Sequence, residues 1–139
     1  MSDKYNFWRG KSVFITGHTG FKGSWLSLWL SKLGANVRGY SLAAEEPKSL
    51  FKQARVENYL QTHVIGNILD RSKLEEAINH AAPDIIFHLA AQPLVLDSYL
   101  SPLKTFEVNV QGTGILLDIA REMSKKCAIV VITSDKCYE

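Results

Sequence analysis

Gly17-His18-Thr19-Gly20-Phe21-Lys22-Gly23 stands between the apolar run Val13-Phe14-Ile15-Thr16 and the stretch Ser24-Trp25-Leu26-Ser27-Leu28-Trp29-Leu30. The run before it has the length and composition of a buried strand. After it, Trp25, Leu26, Trp29, Leu30 and Leu33 recur at i, i+3 and i+4, and Gly34 follows as a stop, which predicts an amphipathic helix. Strand, glycine-rich turn and helix in that order predict a doubly wound domain presenting a helix N-terminus to the pyrophosphate of a dinucleotide. Each glycine has its own expected part. Gly17 permits the tight turn, Gly20 lets backbone approach a phosphate, and Gly23 lets the helix pack close to the strand. A plain strand-to-helix turn is the bland alternative, and the flanking elements weigh against it.

Outward from that turn, strand-like and helix-like segments alternate without a break. Strands are predicted over 11–16, 36–40, 63–66, 84–89 and 129–134, with the fourth fully buried. Helices are predicted over 21–33 and 71–82, the latter ended by Pro83, with a short one near 49–56. A long helix is predicted from about Pro102, with Phe106, Val110, Leu117 and Ala120 on one face. This alternation predicts an α/β, Rossmann-type fold with a parallel sheet in the order 3-2-1-4-5. The chain stops five positions after residue 134 with no helix to cover the outer strand, so residues 1–139 are expected to be the N-terminal part of a longer enzyme whose C-terminal substrate region is absent.

Bulk properties narrow the classes. The 139 residues are 46% apolar and 22% charged, ordinary for a globular domain. The 16 basic and 14 acidic residues are scattered and leave a net charge of +2, which gives no electrostatic case for nucleic acid or a membrane surface as partner. No apolar run is long enough for a membrane span, and the polar N-terminus does not read as a signal peptide. Cys127 and Cys137 have neither metal-ligand company nor a secreted disulfide pattern, so a reduced, cytoplasmic protein without a metal site is expected. His18, His63, His80 and His88 read as turn, strand or surface residues, and Trp8, Trp25 and Trp29 as packing residues.

Three further segments fall at the carboxyl ends of predicted strands, where open α/β sheets bind ligands: Gly66-Asn67-Ile68-Leu69-Asp70, Leu89-Ala90-Ala91-Gln92-Pro93 and Thr133-Ser134-Asp135-Lys136. Small residues such as Ala90 and Ala91 let backbone lie against a ring or a phosphate. Ser134-Asp135-Lys136 groups a hydroxyl, a carboxyl and an amine, and its bland alternative is a solvated charged loop.

The glycine turn, Leu89-Ala90-Ala91 and Asn109-Val110-Gln111-Gly112-Thr113 together resemble the extended short-chain dehydrogenase/reductase family over nearly the whole chain. Within it, residues 17–26, Ala91-Gln92-Pro93-Leu94-Val95 and Thr133-Ser134-Asp135-Lys136-Cys137-Tyr138 resemble the members that dehydrate a nucleotide sugar, CDP-glucose, with Lys22 among the more specific marks. The resemblance implies bound NAD, held by Gly17, Thr19, Gly20, Phe21, Lys22, Gly23, Ser41, Asn67, Ile68, Leu89, Ala90, Ala91 and Gln92. Gln92 and Ser134 would also meet the substrate. It further implies that Ser134 hydrogen-bonds the sugar's C4 oxygen, Asp135 protonates the departing C6 hydroxyl and Lys136 removes the C5 proton. Those roles need a protonated Asp135 beside a neutral Lys136, so burial by substrate and cofactor must oppose their mutual attraction. Other dehydratases or epimerases of the family, and a non-catalytic dinucleotide-binding module, are the alternatives. The family's Tyr-x-x-x-Lys is absent, and Tyr40-Ser41-Leu42 stands where an acidic residue usually follows the second strand. The same resemblance implies a homodimer paired through the long helix, which should leave apolar residues exposed in this segment.

Overall fold

In the computed structural model, residues 6–133 are described. Five parallel strands make one sheet: β1 (Ser12–Thr16), β2 (Asn36–Ser41), β3 (Thr62–Ile65), β4 (Ile85–His88) and β5 (Ala128–Val131). Their order is β3-β2-β1-β4-β5, as the alternation predicts. In register, Thr16 lies beside Tyr40 on one side and His88 on the other. The helices are α1 (Phe21–Lys32), α2 (Leu50–Gln53), α3 (Arg71–Ala81), α4 (Val95–Leu100), α5 (Pro102–Phe106) and α6 (Gly112–Glu122). A 3₁₀ turn spans Val56–Tyr59, so the short helix expected near 49–56 is two pieces, separated by Arg55 in the left-handed region at φ 48°.

A strand covered on both faces sends alternate residues into two cores. Val13 and Ile15 of β1 join Leu30, Ala35 and Val37 on the α1 side. Phe14, Tyr40 and Ile86 join Leu74 and Ile78 of α3 and Leu116 and Ile119 of α6 on the other. Each such large, fully buried side chain contributes about 1.5–3 kcal/mol relative to exposure.

Three expectations are corrected. α1 buries only part of its apolar stripe: Leu30 faces the interior with Gly23, Ser24 and Ser27, and Leu26 packs against the same core, whereas Trp25 and Trp29 are 55% and 61% exposed. The buried hydroxyls are satisfied at no distance from home: Ser24 Oγ donates to the His18 carbonyl at 3.1 Å and Ser27 Oγ to the Gly23 carbonyl at 2.7 Å. Trp25 and Trp29 instead line an outer groove with Leu28, Lys32, Ala54 and Tyr59, while Trp8 packs against the core beside Phe87.

The long helix is likewise not continuous. A π-helical turn over Glu107–Gln111 separates α5 from α6. The buried positions of α6 are Gly112, Leu116 and Ile119, while Phe106, Val110 and Leu117 are exposed, in line with the expectation that this segment leaves apolar residues exposed. Ala120 is half-buried against the α3 side core. Finally, β4 and β5 are shorter than predicted, and β4 is not fully buried, since Phe87 is half-buried; among the described residues β5 forms an edge on which Val130 and Val131 are exposed, with Ile132 exposed just after it. Among the described residues no helix is long and apolar enough to cross a membrane.

Candidate functional site

The glycine turn is built by steric necessity at two of its three glycines. Gly17 has φ 77°, and a Cβ there would lie 2.8 Å from the Ala90 nitrogen, so the residue supplies both the left-handed backbone and the room for the loop after β4. At Gly23 a Cβ would lie 2.1 Å from the Gly17 carbonyl oxygen, which is what lets the first turn of α1 close on the end of β1. Gly20 is different. A Cβ there would meet nothing nearer than the Gly17 carbonyl at 3.4 Å, so its outer side is open.

Gly20 is also the N-cap of α1, and it offers no side chain to the first-turn N–H groups; no acidic residue stands in that turn. These donors have no partner within the helix, and with the helix dipole they suit an anion. Phe21 is 71% exposed and Lys22 is exposed, both at the rim of this open N-terminus.

Around the turn, the ends of the other strands converge. Gly17 N donates to the Tyr40 carbonyl at 2.9 Å, and Leu89 N to the Thr16 carbonyl at 3.1 Å. Thr19 Oγ1 donates to the Leu42 carbonyl at 2.9 Å and therefore accepts from Ser41 Oγ at 2.8 Å, pinning the end of β2 against the turn. Tyr40 Oη donates to the Asn67 carbonyl at 2.9 Å; burial, helped by Asp70, pushes its hydroxyl up to about 12. Asn67 is exposed, and its Oδ1 accepts from Leu69 N at 3.0 Å, so its NH₂ group is not used in that bond. Ile68 does not fit the same way. Its side chain is 5% exposed and packed in the α3 side core under Gly112, so only its backbone could reach a ligand.

On the other side of the turn, Leu89 and Ala90 are half-buried and Ala91 is exposed. Gln92 is tied down: its backbone N–H donates to Asn109 Oδ1 at 2.8 Å, its carbonyl accepts from Asn109 Nδ2 at 3.1 Å, and its side-chain Nε2 donates to Thr105 Oγ1 at 3.0 Å. A Gln92 amide so engaged is a structural clasp in this state and would have to exchange partners to meet a substrate. Ser134, Asp135 and Lys136, the residues expected to carry the chemistry, lie outside the described residues.

Beneath the turn lies a residue that the sequence places in a loop and the structure places in the interior. His18 is fully buried against Gly39, where a Cβ would lie 2.4 Å from the ring, and it meets Phe51 edge-on at 5.4 Å between centroids. His18 Nε2 is 3.4 Å from His63 Nδ1. Burial first, then the neighbouring His63, lowers the His18 pKa to about 4, against a smaller raising contribution from the Tyr40 backbone. A polar residue closing an apolar strand is the signal that sequence reading passed over at Thr16 and His88, both buried at the ends of adjacent strands. Among the described residues no cluster of His, Cys, Asp or Glu could hold a metal.

The family model described as GDP-mannose 4,6 dehydratase matches residues 14–138. CDP-glucose 4,6-dehydratase from Salmonella typhimurium is 52% identical over all 139 residues, and GDP-mannose 4,6-dehydratase from Vibrio cholerae is 34% identical over 80% of this chain. The chain spans 38% and 31% of the lengths of those two relatives. Among solved structures, the epimerase Mth375 from Methanothermobacter thermautotrophicus superposes with a TM-score of 0.78 at 29% identity, covering 96% of this chain and 38% of that one. UDP-glucose 4-epimerase from Brucella ovis, in complex with NAD, superposes at 0.75 and 27% identity, covering 88% of this chain and 35% of its own. A turn in which Gly17 and Gly23 are dictated by contact, at the carboxyl edge of a 3-2-1-4-5 sheet, agrees with these likenesses, and the chain belongs to the GDP-mannose 4,6-dehydratase family of nucleotide-sugar enzymes.

Proposed function

We propose that this chain is the cofactor-binding portion of an NAD-dependent hydro-lyase that converts CDP-glucose to CDP-4-keto-6-deoxyglucose in the cytoplasm. The observation that carries the substrate is the 52% identity along the whole chain to a CDP-glucose 4,6-dehydratase, against 34% to a GDP-mannose enzyme. Support for NAD comes from the open, side-chain-free N-cap at Gly20 and from Gly17 and Gly23, which keep its surroundings free of Cβ atoms. NAD, when bound, supplies reversible hydride storage.

The chain's own residues would do the rest. The N–H groups after Gly20 and the Lys22 amine neutralise pyrophosphate charge. The NH₂ of Asn67 takes an adenine acceptor. Leu89, Ala90 and Ala91 form an apolar wall that excludes water. Ser134 holds the C4 oxygen, Asp135 delivers a proton to the leaving C6 hydroxyl, and Lys136 takes the proton from C5, so that one water departs and the ring carbon skeleton is unchanged. Residues 1–139 alone turn over no substrate, because the chain has no tyrosine followed four places on by lysine to take the C4 hydroxyl proton. The working unit is a homodimer, formed over the apolar strip of Tyr99, Leu100, Leu103 and Phe106, which are 81%, 74%, 69% and 52% exposed.

The test is turnover of CDP-glucose by the full-length protein in deuterated water. Solvent deuterium at C5 of the 4-keto-6-deoxy product is expected. Complete retention of the original C5 hydrogen, or turnover of CDP-glucose to an epimer with its C6 hydroxyl intact, would overturn the reading.

A further inference from the structure

We propose that His88 is a positioning residue: held as its neutral Nε2–H tautomer, it links the end of β1 to the π-turn of the long helix in one ordered hydrogen-bond chain, and so fixes the loop of residues 89–92. That this loop matters for NAD rests on the functional reading above; the tautomer does not.

The order follows from counting protons. Thr16 and His88 are Cα partners at the ends of β1 and β4, 0% and 2% exposed. Thr16 Oγ1 lies 3.2 Å from the Ala90 nitrogen, and an amide N–H can only donate, so the hydroxyl oxygen accepts there. Its single proton is then free to go to His88 Nδ1, 2.7 Å away. A neutral ring whose Nδ1 accepts carries its proton on Nε2. Nε2 lies 3.0 Å from Thr113 Oγ1 and donates to it, and the Thr113 hydroxyl passes its own proton to the Asn109 carbonyl at 2.7 Å. Every link thus has one donor and one acceptor.

The other tautomer breaks the chain twice. A proton on Nδ1 could still be accepted by the second lone pair of Thr16 Oγ1, but the Thr16 proton would then have no acceptor in the chain. A bare Nε2 would draw the Thr113 proton away from the Asn109 carbonyl. An imidazolium repeats the first fault. Burial is what lowers the His88 pKa, with no charged side chain contributing, in keeping with a ring kept neutral.

The chain clasps the loop at both ends. Ala90 hangs from Thr16, and Gln92 hangs from Asn109, whose side chain both accepts from and donates to the Gln92 backbone. Asn109 sits within the π-turn, whose carbonyl end of the chain is the one Thr113 bonds. Since Gly17 packs on Leu89 and Ala90 with no room for a Cβ, a displaced loop would meet the glycine turn directly.

Two measurements on the full-length protein test this. Nitrogen-15 spectra of the ring, taken without NAD, should show His88 protonated on Nε2 alone from pH 6 to 8; a proton on Nδ1 anywhere in that range would overturn the tautomer. Calorimetric titration with NAD should then show His88→Phe binding about tenfold more weakly, since both polar neighbours lose a buried partner. His88→Asn, which restores an acceptor toward Thr16, and His88→Gln, which restores a donor toward Thr113, should each recover part of that loss. Unchanged affinity in a folded Phe variant, or equal loss in all three, would overturn positioning through hydrogen bonds. Should His88→Phe not fold, Thr113→Val takes its place, with a loss about equal to that of His88→Asn expected and no loss counting against the proposal. A wild-type protein that binds no NAD would defeat the functional reading and the loop's bearing on it, while the spectrum still decides the tautomer.

Discussion

Lowering the pH from 7 to 5 should cost this fold much of its stability, and His18 should be the main reason. Its ring is fully buried, and its pKa falls from 6.5 in the unfolded chain to about 4 in the folded one. Between those values the unfolded state binds a proton that the folded state refuses, so stability rises with pH there and is lost as pH falls. At pH 7 neither state is much protonated. At pH 5 the unfolded ring is nearly all charged and the folded ring about one-tenth charged, a loss of roughly 2 kcal/mol. His88, also lowered by burial, acts in the same direction. The carboxylates Asp84 and Asp118 are held below their ordinary value by Lys125 and by Arg121 respectively, so they titrate below this window. Urea unfolding at pH 7, 6 and 5 reads the effect as a falling midpoint at constant slope. His18→Gln, which does not titrate, should flatten the dependence by roughly 2 kcal/mol whatever it does to stability at pH 7. A wild-type midpoint that stays level, or a Gln variant that falls as steeply as wild type, would refute the burial argument.

Two glycine substitutions follow from contact geometry. Gly23→Ala puts a methyl 2.1 Å from the Gly17 carbonyl oxygen, a backbone atom that cannot swing aside, and should destabilise by roughly 3 kcal/mol despite alanine's better helix propensity, as a thermal melt would register. Within α6 the same change should have opposite signs two residues apart: Gly112→Ala meets Ile68 Cγ2 at 2.7 Å and should cost about 1 kcal/mol, whereas Gly114→Ala meets nothing within 4 Å and should gain up to about 1 kcal/mol. Equal effects at the two positions, by chemical denaturation, would contradict the close approach of α6 to Ile68.

What the sequence makes legible here is whatever chain connectivity and backbone conformation enforce. Alternating segments and right-handed crossovers leave few arrangements, and 3-2-1-4-5 is the one found. Gly17 and Gly23 are legible for the same reason, since each is required by a φ value or by an absent Cβ. The face of a helix is another matter, because hydrophobicity and available space can point in different directions. In α1 the apolar stripe includes Trp25 and Trp29, yet the buried positions are Gly23, Ser24, Ser27 and Leu30, and each serine hydroxyl finds a carbonyl in its own helix or turn. The long helix is interrupted by a π-turn over Glu107–Gln111, and no local composition announces it.

The polar network was hidden for a third reason. Thr16, His88, Thr113 and Asn109 are far apart in the chain, and each has an ordinary reading on its own. Only the register that sets Thr16 beside His88, and the π-turn that brings Asn109 to Gln92, gives them a common purpose. A polar residue closing an otherwise apolar strand is the one mark available beforehand, and it occurs at the ends of both β1 and β4. Two such ends in adjacent parallel strands point to a shared partner above them, since a buried hydroxyl and a buried imidazole each need one.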